Sequence, residues 1–189
     1  MLAQRNPMMQ VEAVEISEAG AQLARLNVSN SPWAEKIKVI QQNITDFAIE
    51  NTEQSLKQYD CIVTNPPYFK VGTVSFNTAK QQSRHTLSFS HQDLLKVVVR
   101  LLSPQGVFSL ILPATEGQQF IEKAANTPLF LNRLTEVLPK KDKKVERLLM
   151  EFGKEAVDIK EEQLVIQYEE RNHYTPEYIT LTKDFYLKM

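Results

Sequence analysis

The sequence predicts an α/β fold: a mostly parallel, twisted sheet with an antiparallel hairpin added towards the C-terminus. Three observations carry this. Short apolar runs alternate with segments of helical periodicity as far as residue 125. The run at 58–64, "QYDCIVT", is nearly all apolar, as expected for a parallel strand covered on both faces. Beyond it, "LNRLTEVLP" and "VERLLMEF" flank the polar turn "KKDKK", the pattern of an antiparallel pair.

The elements follow in order. "VEAVEIS" (11–17) reads as a strand ending in the acidic Glu15, and helical periodicity runs from Glu18 to Val28 behind Ser17, an N-cap residue type. "IKVIQQNI" (37–44) is a second strand with Asn43 near its end, and 58–64 is the third. Residues 70–87 are polar and aperiodic and read as a long loop, a length usually tied to function or disorder. A helix with Leu94, Leu95, Val98, Leu101 and Leu102 on its apolar side is expected from Ser90, stopped by Pro104 and Gly106. "VFSLILP" is a fourth buried strand, and "TEGQ" (115–118) has the spacing of a capping box opening a helix to about Ala125. "QLVIQY" and a short helix near Tyr178 complete the chain.

The 189 residues suit one domain, and a net charge of −1 does not by itself mark a nucleic-acid binder. Cys61 is the single cysteine, so no disulfide framework exists, which fits a reducing cytoplasm. The apolar runs are too short to span a bilayer, and scattered histidines without a cysteine pair give no metal site. In parallel sheets ligands sit at the carboxyl ends of strands, and Glu15, Asn43 and the tetrapeptide "NPPY" (65–68) all fall at such ends.

Two prolines cannot donate to a β ladder and bar a helix, so "NPPY" ends its strand on a rigid corner. Composition alone would produce this string in about one chain of this length per thousand. Stiffness fixes Asn65, whose side-chain carbonyl accepts a hydrogen bond. Pro66 retains a backbone carbonyl that accepts a second, and Tyr68 offers a ring face for stacking. Two acceptors beside an aromatic plane suit a planar nitrogen carrying two hydrogens, either the exocyclic amine of adenine or a glutamine amide. Such a nitrogen has a delocalised lone pair. Acceptors that strengthen as positive charge develops on it stabilise the transition state preferentially.

On these residues the sequence resembles the amino-group methyltransferases dependent on S-adenosylmethionine. Over essentially the whole chain, through "MLAQR", "VEIS", "SPWAEKI", "YDCIVTNPPYF", "RHTLSFSHQDLL" and "YTPEYITLTKDFYLKM", it is similar to the tRNA1(Val) adenine-37 methyltransferase family. The resemblance implies a Rossmann-like methyltransferase fold, S-adenosylmethionine as cofactor, a tRNA substrate whose target base leaves its stack, and 6-methyladenosine beside the anticodon as product. It gives Asn65, Pro66, Pro67 and Tyr68 the catalytic role. It places Glu15, with Ile16, on the cofactor ribose, and Asn43, with Ile44, on the cofactor adenine, where many relatives have aspartate; Asn65 also borders the cofactor. A plain turn asparagine is the other reading of Asn43. Phe69, Arg84 and His85 fall on the RNA side, although Arg84 and His85 would equally cap the next helix. Lys140, Lys141, Lys143 and Lys144 form either a solvated hairpin tip or a phosphate contact. A methyltransferase acting on a protein glutamine or a ribosomal guanine, and a non-catalytic RNA-binding remnant, are the competing readings.

One family feature is missing. The Gly-rich loop between the first strand and first helix does not occur, and the five glycines (Gly20, Gly72, Gly106, Gly117 and Gly153) are widely spaced. "MLAQRNP" resembles the end of the helix after that loop, so Met1 is expected at a family-internal position, with the central strand absent between the strands ending at Glu15 and Asn65. With upstream sequence that carries the loop, the product is expected to be an active methyltransferase; with Met1 as the true start, weak or no S-adenosylmethionine binding and marginal stability are expected.

Overall fold

The computed structural model describes residues 1–51, 57–66 and 89–186. They form two compact units, Met1–Lys57 and Gln58–Met189, and each is described by itself.

The first unit begins with a one-turn helix α1 (Leu2–Arg5), then β1 (Val11–Glu15), α2 (Glu18–Ser29), a 3-10 turn at Ala34–Lys36, β2 (Ile37–Gln41) and α3 (Ile44–Glu50). β1 and β2 pair in parallel, from Val11 opposite Ile37 to Glu15 opposite Gln41. Parallel neighbours need a crossover, and α2 supplies it. Its start is fixed by Ser17, whose Oγ accepts the Gly20 N–H at 3.2 Å. The second strand is shorter than its apolar pattern suggests. It stops at Gln41, and Asn43 is the N-cap of α3, accepting the Thr45 N–H on Oδ1 at 2.8 Å. An asparagine satisfies a helix start better than a ladder, which has no use for its side chain.

The second unit holds β3 (Tyr59–Thr64), α4 (His91–Leu101), β4 (Leu102–Pro113), α5 (Ala114–Ala124), β5 (Phe130–Leu138), β6 (Arg147–Gly153), β7 (Lys160–Val165) and α6 (Pro176–Thr182). The sheet order is β3-β4-β6-β5-β7. β3 is parallel to β4, β6 is antiparallel to both β4 and β5, and β7 is parallel to β5. Four strands therefore point one way and β6 alone runs back. The carboxyl ends of β3, β4, β5 and β7 share one rim of the sheet.

Two sequence signals act differently from expectation. Pro104 and Gly106 do not end a helix in a loop; α4 stops at Leu101 and both lie inside β4. They interrupt pairing instead. The register passes from Tyr59 opposite Leu102 to Cys61 opposite Val107, so residues 103–106 bulge against Asp60 alone. Proline has no N–H for the ladder, and a Cβ on Gly106 would lie 2.9 Å from the Tyr59 carbonyl oxygen. The capping-box spacing at Thr115 is likewise unused: α5 starts at Ala114 behind Pro113, with no side-chain cap. A true box does open α4, where Ser90 and Asp93 bond reciprocally. β3 is also less covered than an all-apolar strand suggests, with Val63 52% exposed. Among the described residues β1 pairs with β2 and β3 with β4, and no strand pairs with the other edge of either.

The core lies between α4, α5 and the sheet. Leu95 and Val98 from α4, Phe108 and Leu112 from β4, Phe120 from α5, and Met150 and Phe152 from β6 are almost wholly buried. Three rings form its centre: Phe108–Phe120, Phe108–Phe152 and Phe120–Phe152 centroids are 6.2, 6.1 and 5.6 Å apart.

His91 meets this core, edge-on to Phe120 at 5.3 Å, with Nδ1 buried and unbonded. Burial and then the Lys123 charge hold its pKa below the usual histidine value, while Glu116 opposes them. As pH falls through about 6.5 the unfolded chain takes a proton that the folded chain refuses, so stability drops there and levels off once the folded form also protonates. Urea midpoints at pH 7.5 and 5 are expected to differ less for His91→Leu than for the native chain. Equal shifts in the two proteins would show that His91 does not set this acid sensitivity.

Candidate active site

The first unit gathers polar groups at the carboxyl end of its two strands. Glu15, the last residue of β1, is half-buried, and the Ser17 backbone N–H donates to its Oε1 at 2.7 Å. Behind it, a Cβ on Gly20 would lie 3.1 Å from both Cγ and Cδ of Glu15. The glycine clears the seat in which the carboxylate lies across the first turn of α2, where helix polarity favours negative charge. Gly20 is a positioning residue that the sequence reading missed. The available signal was a glycine in the first turn of an otherwise good helix, where it costs about 1 kcal/mol relative to alanine.

The segments that carry Glu15 and Asn43 are joined by two hydrogen bonds. The Gln42 N–H donates to the Glu15 carbonyl at 3.0 Å, and Gln41 Nε2 to the Ile16 carbonyl at 3.2 Å. Glu15, exposed Ile16, and half-buried Asn43 and Ile44 thus share one edge of the unit. A carboxylate held by one oxygen retains lone pairs for paired hydroxyls, and Asn43 Nδ2 remains a donor for a purine ring nitrogen. This donor set fits the nucleoside half of S-adenosylmethionine. A separate cleft, lined by Glu12, Arg25, Lys38, Phe47 and Lys57 among others, includes none of these four residues. Its charges engage each other, with Lys57 Nζ 2.8 Å from Glu12.

In the second unit, β3 ends at Thr64 opposite Leu110, and the chain leaves the sheet through Asn65 and Pro66. Pro66 is buried and Asn65 exposed. The proline anchors the corner and the carboxamide-bearing residue stands at the surface of the carboxyl rim. Pro67, Tyr68, Phe69, Arg84 and His85 lie outside the described residues, as does the expected 70–87 loop. On the same strand, partial desolvation, then the charges of Glu151 and Asp60, push the thiol pKa of exposed Cys61 up and disfavour its thiolate.

The four lysines do not behave alike. Lys140 is half-buried and clamps the loop after β7, its Nζ donating to the Glu169 carbonyl at 2.6 Å and pairing with the Glu169 carboxylate at 3.4 Å. Lys141, Lys143 and Lys144 are exposed at the tip of the β5–β6 turn.

A family model described as Eco57I restriction-modification methylase matches residues 6–144. The tRNA1(Val) (adenine(37)-N6)-methyltransferase of Histophilus somni (strain 2336) is 40% identical over 188 residues, 99% of this chain and 76% of that protein. The enzyme of the same name from Vibrio cholerae serotype O1 (strain M66-2) is 38% identical over 189 residues, 100% of this chain and 75% of that protein. The chain belongs to the tRNA1(Val) (adenine(37)-N6)-methyltransferase family. It spans about three quarters of the length of these family members. Solved structures agree on the fold. A predicted O-methyltransferase from Agrobacterium tumefaciens matches with a TM-score of 0.72 at 18% identity, covering 96% of this chain and 81% of that one. The glycopeptide N-methyltransferase MtfA complexed with S-adenosylmethionine matches with a TM-score of 0.54 at 13% identity, covering 78% and 73%. The family member described here therefore has the Rossmann-like methyltransferase fold. Among its described residues no helix is long and apolar enough to cross a membrane.

Proposed function

We propose that this protein methylates the exocyclic N6 amine of adenosine 37 in tRNA1(Val), using S-adenosylmethionine, in the cytoplasm. The observation that carries the reading is the Asn65–Pro66 corner at the carboxyl end of β3, in a chain of this family. When bound, the cofactor supplies an electrophilic methyl group on a sulfonium. Glu15 accepts from the ribose hydroxyls, and Asn43 and Ile44 border the adenine. Asn65 Oδ1 and the Pro66 carbonyl accept the two N–H groups of the target amine. As the nitrogen gains positive charge these bonds strengthen, which lowers the barrier without tightening ground-state binding equally. Tyr68 stacks on the extruded base.

The test is transfer of labelled methyl from S-adenosylmethionine to unmodified tRNA1(Val) transcripts carrying either A37 or G37. Label in the A37 transcript alone is expected. No label in either, or equal label in both, would overturn the assignment.

Gly20→Ala provides a separate probe of the cofactor seat. The new Cβ displaces the Glu15 carboxylate while improving helix propensity by about 1 kcal/mol. Calorimetric titration is expected to show several-fold weaker S-adenosylmethionine binding, with an unchanged or higher melting temperature. Undiminished affinity would remove Glu15 from the cofactor site.

A further inference from the structure

We infer that the β5–β6 turn and the loop after β7 form one docking surface for the single-stranded RNA flanking the target base. This rests on the proposed tRNA substrate and names the part of the chain that holds it.

Residues 140–144 contain four lysines and one aspartate, the densest cationic run of a chain whose net charge is −1. Lys141, Lys143 and Lys144 are exposed and long enough to follow a phosphate backbone. The loop after β7 supplies what the lysines lack. Its two arms are joined by the Tyr168 N–H donating to the His173 carbonyl at 2.8 Å and by an antiparallel bridge between Gln167 and Tyr174. The reversal passes through Asn172 in the left-handed region at φ 65°, a conformation asparagine tolerates. It lays the His173 ring against Tyr168, centroids 4.9 Å apart, and leaves Tyr168 48% exposed. Exposed Arg171 projects from the same turn. A paired aromatic surface beside cations is the combination that binds unpaired nucleotides without hydrogen-bond readout.

Two contacts make the loops one surface. Lys140 pairs with Glu169 as described, and the Gln167 N–H donates to the Pro139 carbonyl at 3.2 Å. The surface also lies on the rim that carries Asn65, because β3, β5 and β7 run the same way. With strands about 4.8 Å apart, β5 and β7 end roughly 14 and 19 Å from β3. RNA presenting one base to Asn65 would lay the adjoining nucleotides across the lysines and the ring pair.

Binding of unmodified tRNA1(Val) transcript, followed by fluorescence anisotropy from 50 to 300 mM salt, tests this in the intact protein. The triple variant Lys141→Gln, Lys143→Gln, Lys144→Gln is expected to weaken binding at least tenfold and to flatten the log affinity against log salt slope by about two. Tyr168→Ala should weaken binding roughly tenfold with the slope unchanged, and Tyr168→Phe should retain affinity. S-adenosylmethionine titration and thermal melting of each variant report whether the fold persists. If the triple variant keeps both native affinity and native slope, or if Tyr168→Phe is as weak as Tyr168→Ala, the surface is refuted. The proposed function fails differently: the native protein would then label no A37 transcript, whatever these variants do.

Discussion

Asn65→Ala is expected to lower the turnover of methyl transfer to tRNA by at least a hundredfold, about 2.7 kcal/mol of transition-state stabilisation. The reason lies in when its hydrogen bond matters. An uncharged aromatic amine is a weak donor, and the same amine acquiring the methyl group is a strong one, so the Oδ1 acceptor contributes more at the transition state than before it. The loss should appear chiefly in kcat, with a smaller change in KM for tRNA. Pro66, buried next to it, keeps the corner folded when Asn65 is replaced. Asn65→Asp retains an acceptor oxygen and should keep more activity than the alanine variant. Single-turnover assays decide the matter: an alanine variant with a tenth or more of the native rate would mean that this carboxamide does not act on the reacting nitrogen.

Phe108→Ala should cost about 3 to 5 kcal/mol of stability. Phe108 is fully buried at the centre of β4 and touches both other rings of the core. Its removal opens a cavity walled by Phe120, from a helix, and Phe152, from β6, and neither backbone can close on the gap independently. Phe108→Leu, which fills most of the volume, should cost clearly less. Denaturant unfolding of the two variants is the measurement, and near-native stability of the alanine variant would show that α5 and β6 can collapse together.

The elements legible in the sequence were those specified locally. The Ser17 cap, the Glu18 helix and the hairpin around residues 140–144 each carry their own start and stop chemistry within a few residues. Errors arose where a local signal had two structural outcomes. Pro104 and Gly106 mark a break in pairing, but whether the chain leaves the sheet or bulges depends on Tyr59 and Asp60, more than forty positions earlier. Thr115 has capping-box spacing, yet Pro113 at φ −55°, ψ 151° already begins the helix one residue before it. For the site, Glu15, Asn43 and Asn65 stood out as polar residues at the ends of apolar runs, a local pattern. The Gly20 seat and the Tyr168–His173 stack did not, because each depends on a side chain folding back across a turn.

The reversed strand β6 has a consequence for how the chain reaches its last loop. Seven residues of β6 carry the chain from the carboxyl rim of the parallel strands to the opposite side, and after a short connection β7 brings it forward again. Since Leu148, Met150 and Phe152 alternate inward along that return, slipping its register by one position would turn all three outward. The aromatic packing of the interior thus also sets where the loops after β5 and β7 stand on the rim of the sheet.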